Sequence, residues 1–365
     1  MNFDFSDDQK LLADQVQRFL DEHSGPSVVR ASLEGQTKFS PDVWRGLGDM
    51  GLLGTAIPEQ YGGTGAGYLE LCLVAQQLGA HLATIPFGST VYLATEALLQ
   101  FGSDAQKAEW LPKIATGEVK GALAVTESLS QLQACALLTN VNNDQLTGNK
   151  IIVSDGNLAD LFIVVAAEND DAGLYLVEAG TGVTTRTVDS VDLTRDTAEV
   201  QFDSAPCAQL PKTDWTSLQT LLTRAAVLYA FEQLGLAQSA LKMGVAYAHE
   251  RFAFGRAIGS FQAIKHMLAD MYVAMKLAEN NSYYAAWALE NDADDLALAA
   301  ATARVGSTHA SQLCARDNIQ VHGGMGFTWE FDCHLYYRRA NYMALELGAL
   351  SEWQEKLVRA LPAAA

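Results

Sequence analysis

The chain has 365 residues, 49% of them hydrophobic, and 43 acidic against 24 basic side chains leave a formal charge of −19. That length supports two or three packed units. The acidic balance, with no basic stripe, argues against nucleic acid or an anionic membrane as a main partner, and any anionic ligand must be held by local groups against the overall field. Five cysteines without a CxxC spacing predict a reducing, cytoplasmic setting. Seven histidines form no HExxH or other clustered ligand set, so no metal is expected. The opening MNFDFSDDQKLLADQ lacks the basic-then-apolar order of a signal peptide, and no apolar run reaches membrane-spanning length.

Ser6 and Gln9 form a capping-box pair ahead of Leu11, Leu12, Val16 and Leu20, which recur at helical spacing. Ser40 followed by Pro41 predicts a second helix start, with Ser40 as its cap. IPEQYGGTGAG (57–67) reads as a glycine-rich connector, and Ser103 with Gln106 repeats the capping box. Near Lys120 the texture changes. GALAVTES, KIIVSDG, DLFIVVAA, GLYLVEAG, VTTRTV and AEVQFDS are short β-type runs, with NVNNDQLTGNK read as a separator. Strands grouped without helices between them predict an antiparallel β-domain.

From Trp215 the pattern is helical again. The 216–252 stretch carries little charge and is expected to be largely buried. Two further helices follow, the second stopping at Gly323–Gly324, and FDCHLYYRRANYMALELGALSEWQEKLVRAL is read as the closing helical segment. The expected order is an N-terminal helical domain (1–119), a middle β-domain (120–212) and a C-terminal helical bundle (213–365).

Two acids stand in apolar settings of the kind that raise a carboxyl pKa. Glu346 lies among Met343, Leu345, Leu347 and Leu350. Glu232 shares a helical stripe with Leu218, Leu221, Leu222, Ala225, Leu228, Gly235 and Leu236. The plainer reading of Glu232 is a buried or interface acid paired with arginine.

GLLGTAIPEQYGGTG, LPKIATGEVKGALAVTE, LTGNKIIVSDGNLADLFIVVA, YAHERFAFGRAIGSFQAIKHMLADM and IQVHGGMGFTWE, in that order, resemble the acyl-CoA dehydrogenase family over essentially the whole chain. The resemblance implies a mostly α flavoenzyme fold, with a helical N-terminal domain, an antiparallel β-barrel-like middle and a C-terminal four-helix bundle. It implies FAD as cofactor, an acyl-CoA thioester as substrate and electron-transfer flavoprotein as acceptor. In that chemistry a water-shielded carboxylate removes the α-proton and flavin N5 takes the β-hydride.

In the family FAD lies across a subunit interface. The resemblance assigns Arg251, Phe254, Gly255 and Gln262, with Gln320, Gly323 and Gly324, to the FAD of a neighbouring chain. Arg251 offers a donor fork to pyrophosphate, and the glycines admit close backbone approach. Thr126 and Ser154 belong to the half of the site that holds the chain's own flavin. There the family's Gly-Ser-Asp loop is replaced, Leu129 and Leu132 stand nearby, and Ile152 takes a place many members give to an aromatic residue. The usual base position falls at Leu347, with Glu346 one residue early, about 100° away if the segment is helical. The alternative base position, on the long central helix, is Ala225, and Glu232 lies two turns on.

FEQLG, SFQAIKH, HGGMGFTWEFDCHLYYRRA and TGNKIIVSDGNLAD most resemble a bacterial branch that includes heteromeric (α2β2) dehydrogenases of steroid side-chain CoA thioesters. The expectation is a subunit that completes the FAD site of a paralogous, base-carrying partner. Two alternatives stay open: a self-sufficient homomer using Glu346 or Glu232, and a flavin-free acyl-CoA-binding or scaffold protein.

Overall fold

The computed structural model describes residues 5–35, 38–128, 136–169 and 171–361. In chain order the helices are α1 (Asp7–His23), α2 (Pro26–Leu33), α3 (Pro41–Asp49), α4 (Tyr68–Ala80), α5 (Glu96–Phe101) and α6 (Asp104–Ala115). The strands β1 (Gly121–Ala124), β2 (Asn140–Asn142), β3 (Gln145–Ser154), β4 (Leu161–Glu168), β5 (Asp171–Glu178), β6 (Val183–Thr187) and β7 (Thr197–Gln209) follow. Then come α7 (Trp215–Glu250), the short strands β8 (Phe252–Ala253) and β9 (Arg256–Ala257), α8 (Gln262–Glu290), α9 (Leu296–His322), α10 (Cys333–Met343) and α11 (Leu350–Ala360). The chain divides into two compact units, Met1–Arg30 with Tyr68–Ala83 and Ala226–Ala365, and Ala31–Gly67 with Thr84–Ala225.

Both capping boxes form. The Ser6 and Ser103 hydroxyls accept from the Gln9 and Gln106 amides, and each glutamine side chain reaches back to its cap. Ser40 precedes Pro41 as expected, but its side chain makes no cap bond.

In the second unit the sheet closes on itself. β4 pairs with β5, β5 with β7, β7 with β3, β3 with β2, and β2 with β4. The sheet is mainly antiparallel, but β1 and β2 run parallel to β4. β2 lies inside the stretch read as a separator. Its turn, Asn143–Asp144, has φ of 51° and 59°, the two-residue type I′ geometry that suits a hairpin. Phe162 and Phe202 meet edge-to-face at 5.9 Å in the barrel interior. Lys150, with a fully buried side chain, donates to Glu127 Oε1 (2.7 Å) and to the carbonyls of Val125 and Val165. Glu127 also accepts the Leu138 and Thr139 amides. The buried pair is thus fully hydrogen-bonded, the condition under which such a pair is tolerated. Burial pushes the Lys150 ammonium down to about 8, against the opposing pull of Glu127.

A π-helix, Gly88–Thr95, precedes α5 and is buried throughout. Its i→i−5 spacing lets Thr95 Oγ1 reach the Thr90 carbonyl at 2.9 Å. Thr90 Oγ1 in turn bonds both the amide and the carbonyl of Gly121 at the start of β1. Next to it, Glu96 pairs with Arg224 in a buried ion pair.

In the first unit α4 and α7 cross at backbone contact. A Cβ on Gly79 would stand 1.8 Å from the Glu232 carbonyl oxygen, and one on Gly235 would stand 1.8 Å from that of Gln76. Beside the crossing, Gln76 Nε2 bonds Gln238 Oε1 at 2.8 Å. Leu234, Ala237, Met271, Met275, Ala310 and Cys314 join α7, α8 and α9 in one apolar core.

Gly235→Ala forces the two helices apart and is expected to cost about 3 kcal/mol or more, read by urea unfolding. Lys150→Met strands Glu127 as an uncompensated buried charge, and a loss of about 3–5 kcal/mol is expected.

Candidate functional site

The α7 stretch 224–237 is buried on every side. In an apolar helix each polar side chain there must find a partner. Tyr229 and Gln233 find theirs around Arg304 of α9, which is 1% exposed. Arg304 Nη1 donates to Gln233 Oε1 (2.9 Å) and Nη2 to the Met343 carbonyl (2.5 Å), while Thr308 Oγ1 adds a bond to Gln233 Oε1 at 3.1 Å. The guanidinium sits 6.0 Å from the centre of the Tyr229 ring. Tyr229 donates its hydroxyl to Glu346 Oε2 at 3.1 Å. Burial pushes Arg304 down to about 10, and the charges of Tyr229, Glu346 and Glu232 oppose that shift. Both candidate acids thus act electrostatically on one cation.

The 341–353 stretch is not one helix. α10 ends at Met343, α11 begins at Leu350, and between them Glu346 and Gly348 form a bridge with Gly348 at φ 96°. The Gly348 amide bonds the Leu345 carbonyl (3.1 Å), and Trp353 Nε1 bonds the Leu347 carbonyl (3.0 Å). The helical 100° argument for Glu346 therefore does not apply. A turn, not a helix, sets its direction, and that turn leaves the Leu347 side chain 5% exposed and Glu346 half-buried. Ala225, the other base position, is a buried alanine.

At the far end of α7 the residues assigned to dinucleotide contact come together. β8 and β9 form a hairpin whose turn, Phe254–Gly255, has φ of 54° and 78°. A phenylalanine in that left-handed region costs about 1–2 kcal/mol, yet its ring is 96% exposed, so burial does not offset the cost. Arg251 and Gln262 flank the hairpin, both exposed. One turn before Arg251, Tyr247 stacks on His322 at 4.0 Å, and His322 immediately precedes Gly323. The stack thus brings the hairpin and the Gly323–Gly324 turn to one end of the bundle. Gln320 is exposed there as well. A Cβ on Gly255, Gly323 or Gly324 would meet nothing within 4 Å, so each leaves open space beside exposed backbone. Exposed donors around uncrowded glycines fit a phosphate-bearing ligand.

In the second unit, Thr126 bridges Ile152, and the Ile151 amide bonds the Thr126 carbonyl at 2.9 Å. Ile152 is exposed and Ser154 half-buried. Leu129 and Leu132 lie outside the described residues.

Family models of the acyl-CoA dehydrogenase N-terminal domain and C-terminal domain match residues 6–118 and 215–359. The chain is 32% identical over 353 residues to the acyl-CoA dehydrogenase IpdE2 of Mycolicibacterium smegmatis, covering 96% of this chain and 98% of that one. The chain belongs to the acyl-CoA dehydrogenase family. Among solved structures it superposes on a chain of the ChsE4–ChsE5 complex from Mycobacterium tuberculosis with a TM-score of 0.91 and 28% identity, over 100% of both chains. It superposes on the Tcur3481–Tcur3483 steroid acyl-CoA dehydrogenase G363A variant with a TM-score of 0.89 and 27% identity, over 97% of both. Acyl-CoA dehydrogenases are FAD-dependent oxidoreductases acting on CH–CH bonds, and the open glycines and exposed donors of the bundle end fit that cofactor.

Arg304, Tyr229, Gln233 and Thr308 were not singled out from the sequence. The signal was a single arginine in the run LALAAATARVGSTHAS, where small neighbours make a charge either buried and paired or exposed.

His322 ties the two halves of the bundle end together, and burial lowers its pKa. The folded state therefore binds fewer protons than the unfolded one, and stability falls as pH drops through the unfolded value of about 6.5. Between pH 7.5 and 5.5 the melting temperature is expected to fall less in His322→Phe than in the wild type.

Proposed function

We propose that this chain is a subunit of an FAD-dependent acyl-CoA dehydrogenase that introduces an α,β double bond into a bulky acyl-CoA thioester, and that it contributes FAD contacts to a partner chain carrying the catalytic base. The observation that carries the reading is the contrast between two regions. The usual base position holds the buried, apolar Leu347, and Glu346 and Glu232 act electrostatically on Arg304. The elements assigned to a neighbour's cofactor instead present exposed donors and open glycines.

A base for an α-proton must have its basicity raised by exclusion of water and of positive charge. Glu346 instead accepts a hydrogen bond from the Tyr229 hydroxyl, whose ring stands beside the Arg304 guanidinium. In this reading Arg251 holds the dinucleotide pyrophosphate, Phe254 and Gln262 flank it, and Gln320 with the Gly323 and Gly324 amides hold its far end. Thr126 and Ser154 remain as hydroxyls on the degraded side. FAD, when bound, supplies the hydride acceptor. The protein's part is to orient it and keep the thioester dry. The heteromeric arrangement is supported by the likeness to the ChsE4–ChsE5 and Tcur3481–Tcur3483 complexes, and the bulky acyl group by the steroid named in the latter. Electron-transfer flavoprotein is the proposed acceptor and the cytoplasm the proposed location.

Purified alone and with a paralogous acyl-CoA dehydrogenase subunit, the chain is expected to give a heterotetramer with one FAD for every two chains. Full FAD occupancy and turnover by the chain alone would overturn the proposal, and a colourless complex would leave only an acyl-CoA-binding role. Glu232→Gln and Glu346→Gln should each keep kcat of the complex within about threefold, whereas loss of a true base costs roughly 10²-fold or more.

A further inference from the structure

We infer that Arg30 is a positioning residue for the FAD-contacting end of the bundle: from α2 it clamps the 323–332 segment that carries Gly323 and Gly324. The inference rests on the reading of those glycines given above.

The segment runs from the end of α9 through a 3-10 turn, Gly323–Phe327, to Asp332 at the start of α10. Its inner side is packed. His322 lies against Tyr247 at 4.0 Å and Phe331 at 5.7 Å. A Cβ on Gly326 would stand 2.6 Å from the Ile319 carbonyl oxygen, and Cys333 Sγ bonds the Gly326 carbonyl at 3.4 Å.

Its outer side is not packed. The Phe327 and Trp329 rings are largely exposed, so burial does little to hold residues 327–330 in place. Thr328 is tied back to the Met325 carbonyl through its amide and hydroxyl, and the bonds that reach this segment from α2 come from one guanidinium. Arg30 Nε and Nη2 reach Asp332 Oδ1 at 2.7 and 2.6 Å, and Nη1 donates to the Trp329 carbonyl. A rigid fork that grips both a carboxylate and a main-chain oxygen three residues away fixes the path between them, which a flexible ammonium cannot do. The Arg338 guanidinium, 5.4 Å from the Trp329 ring centre, and the His334 ring, edge-on at 4.9 Å, steady the indole.

A groove lies beside Asp332. Pro26 and Val29 of α2, together with Asp332, Leu335 and Tyr336, border its volume of about 600 Å³. The Arg30 bonds join α2 to the start of α10 next to this groove. A partly exposed ion pair of this kind contributes little to stability. Its geometric effect on the loop can thus be separated from any effect on folding.

The test is FAD titration of the purified assembly after flavin removal, followed by flavin fluorescence quenching, with melting temperatures recorded in parallel. Arg30→Ala and Asp332→Ala are each expected to weaken FAD binding about tenfold, the lower end for groups that support a ligand-holding residue, with little change in melting temperature. The exchange Arg30→Asp with Asp332→Arg should recover part of the affinity, which a purely structural bridge would not require. Should Arg30→Ala not fold, Arg30→Lys decides: it keeps the charge but loses the fork, so weaker FAD binding supports the clamp and unchanged binding overturns it. Unchanged FAD affinity in Arg30→Ala, beside a loss in Arg251→Ala, overturns the clamp alone. If Arg251→Ala and Gly324→Val also leave the affinity unchanged, the assignment of this surface to FAD fails instead.

Discussion

Backbone contact between α4 and α7 sets the frame of the first unit. Two helices can approach this closely only where neither carries a side chain at the crossing, and Gly79 and Gly235 supply the two gaps. The contact fixes the α7 backbone at Glu232, the residue whose carbonyl faces Gly79. It thereby sets which face of α7 Tyr229, Glu232 and Gln233 present. With that register held, Gln233 meets Arg304 and Tyr229 meets Glu346.

The same helix carries two different chemistries along its length. Its middle carries a buried polar cluster centred on one guanidinium, in which Gln233 Oε1 is bonded twice and Gln233 Nε2 has no partner. Its far end is open, with an exposed phenylalanine at positive φ and glycines whose surroundings are empty. The buried middle directs its polar groups at one another, whereas the far end leaves donors exposed and glycines uncovered.

Much of the architecture was legible in the sequence because it rests on local rules. Capping boxes at Ser6 and Ser103, the glycine stop at 323 and the short β-runs each signal their element within a few residues. The β2 strand was missed because an Asn-Asp turn with both residues at positive φ looks like a polar spacer until its flanking alternation is counted. The Glu346 turn was missed for a different reason. MALELGAL has a helical composition, and what breaks the helix is Gly348 at positive φ together with tertiary bonds from Arg304 and Trp353. No local pattern encodes those bonds. The Arg304 cluster was hidden for the same cause, since its members are far apart in sequence. The family resemblance assigned cofactor contact to two motifs far apart in sequence, and the stack of Tyr247 on His322 brings them to one end of the bundle.

The turn between α10 and α11 has one further property. It is held by main-chain oxygens: the Met343 carbonyl by Arg304 and the Leu347 carbonyl by Trp353. Neither anchor depends on which side chain the turn displays at Glu346, which accepts a bond of its own from the Tyr229 hydroxyl. A change at Glu346 therefore removes that hydrogen bond and leaves both backbone anchors of the turn in place.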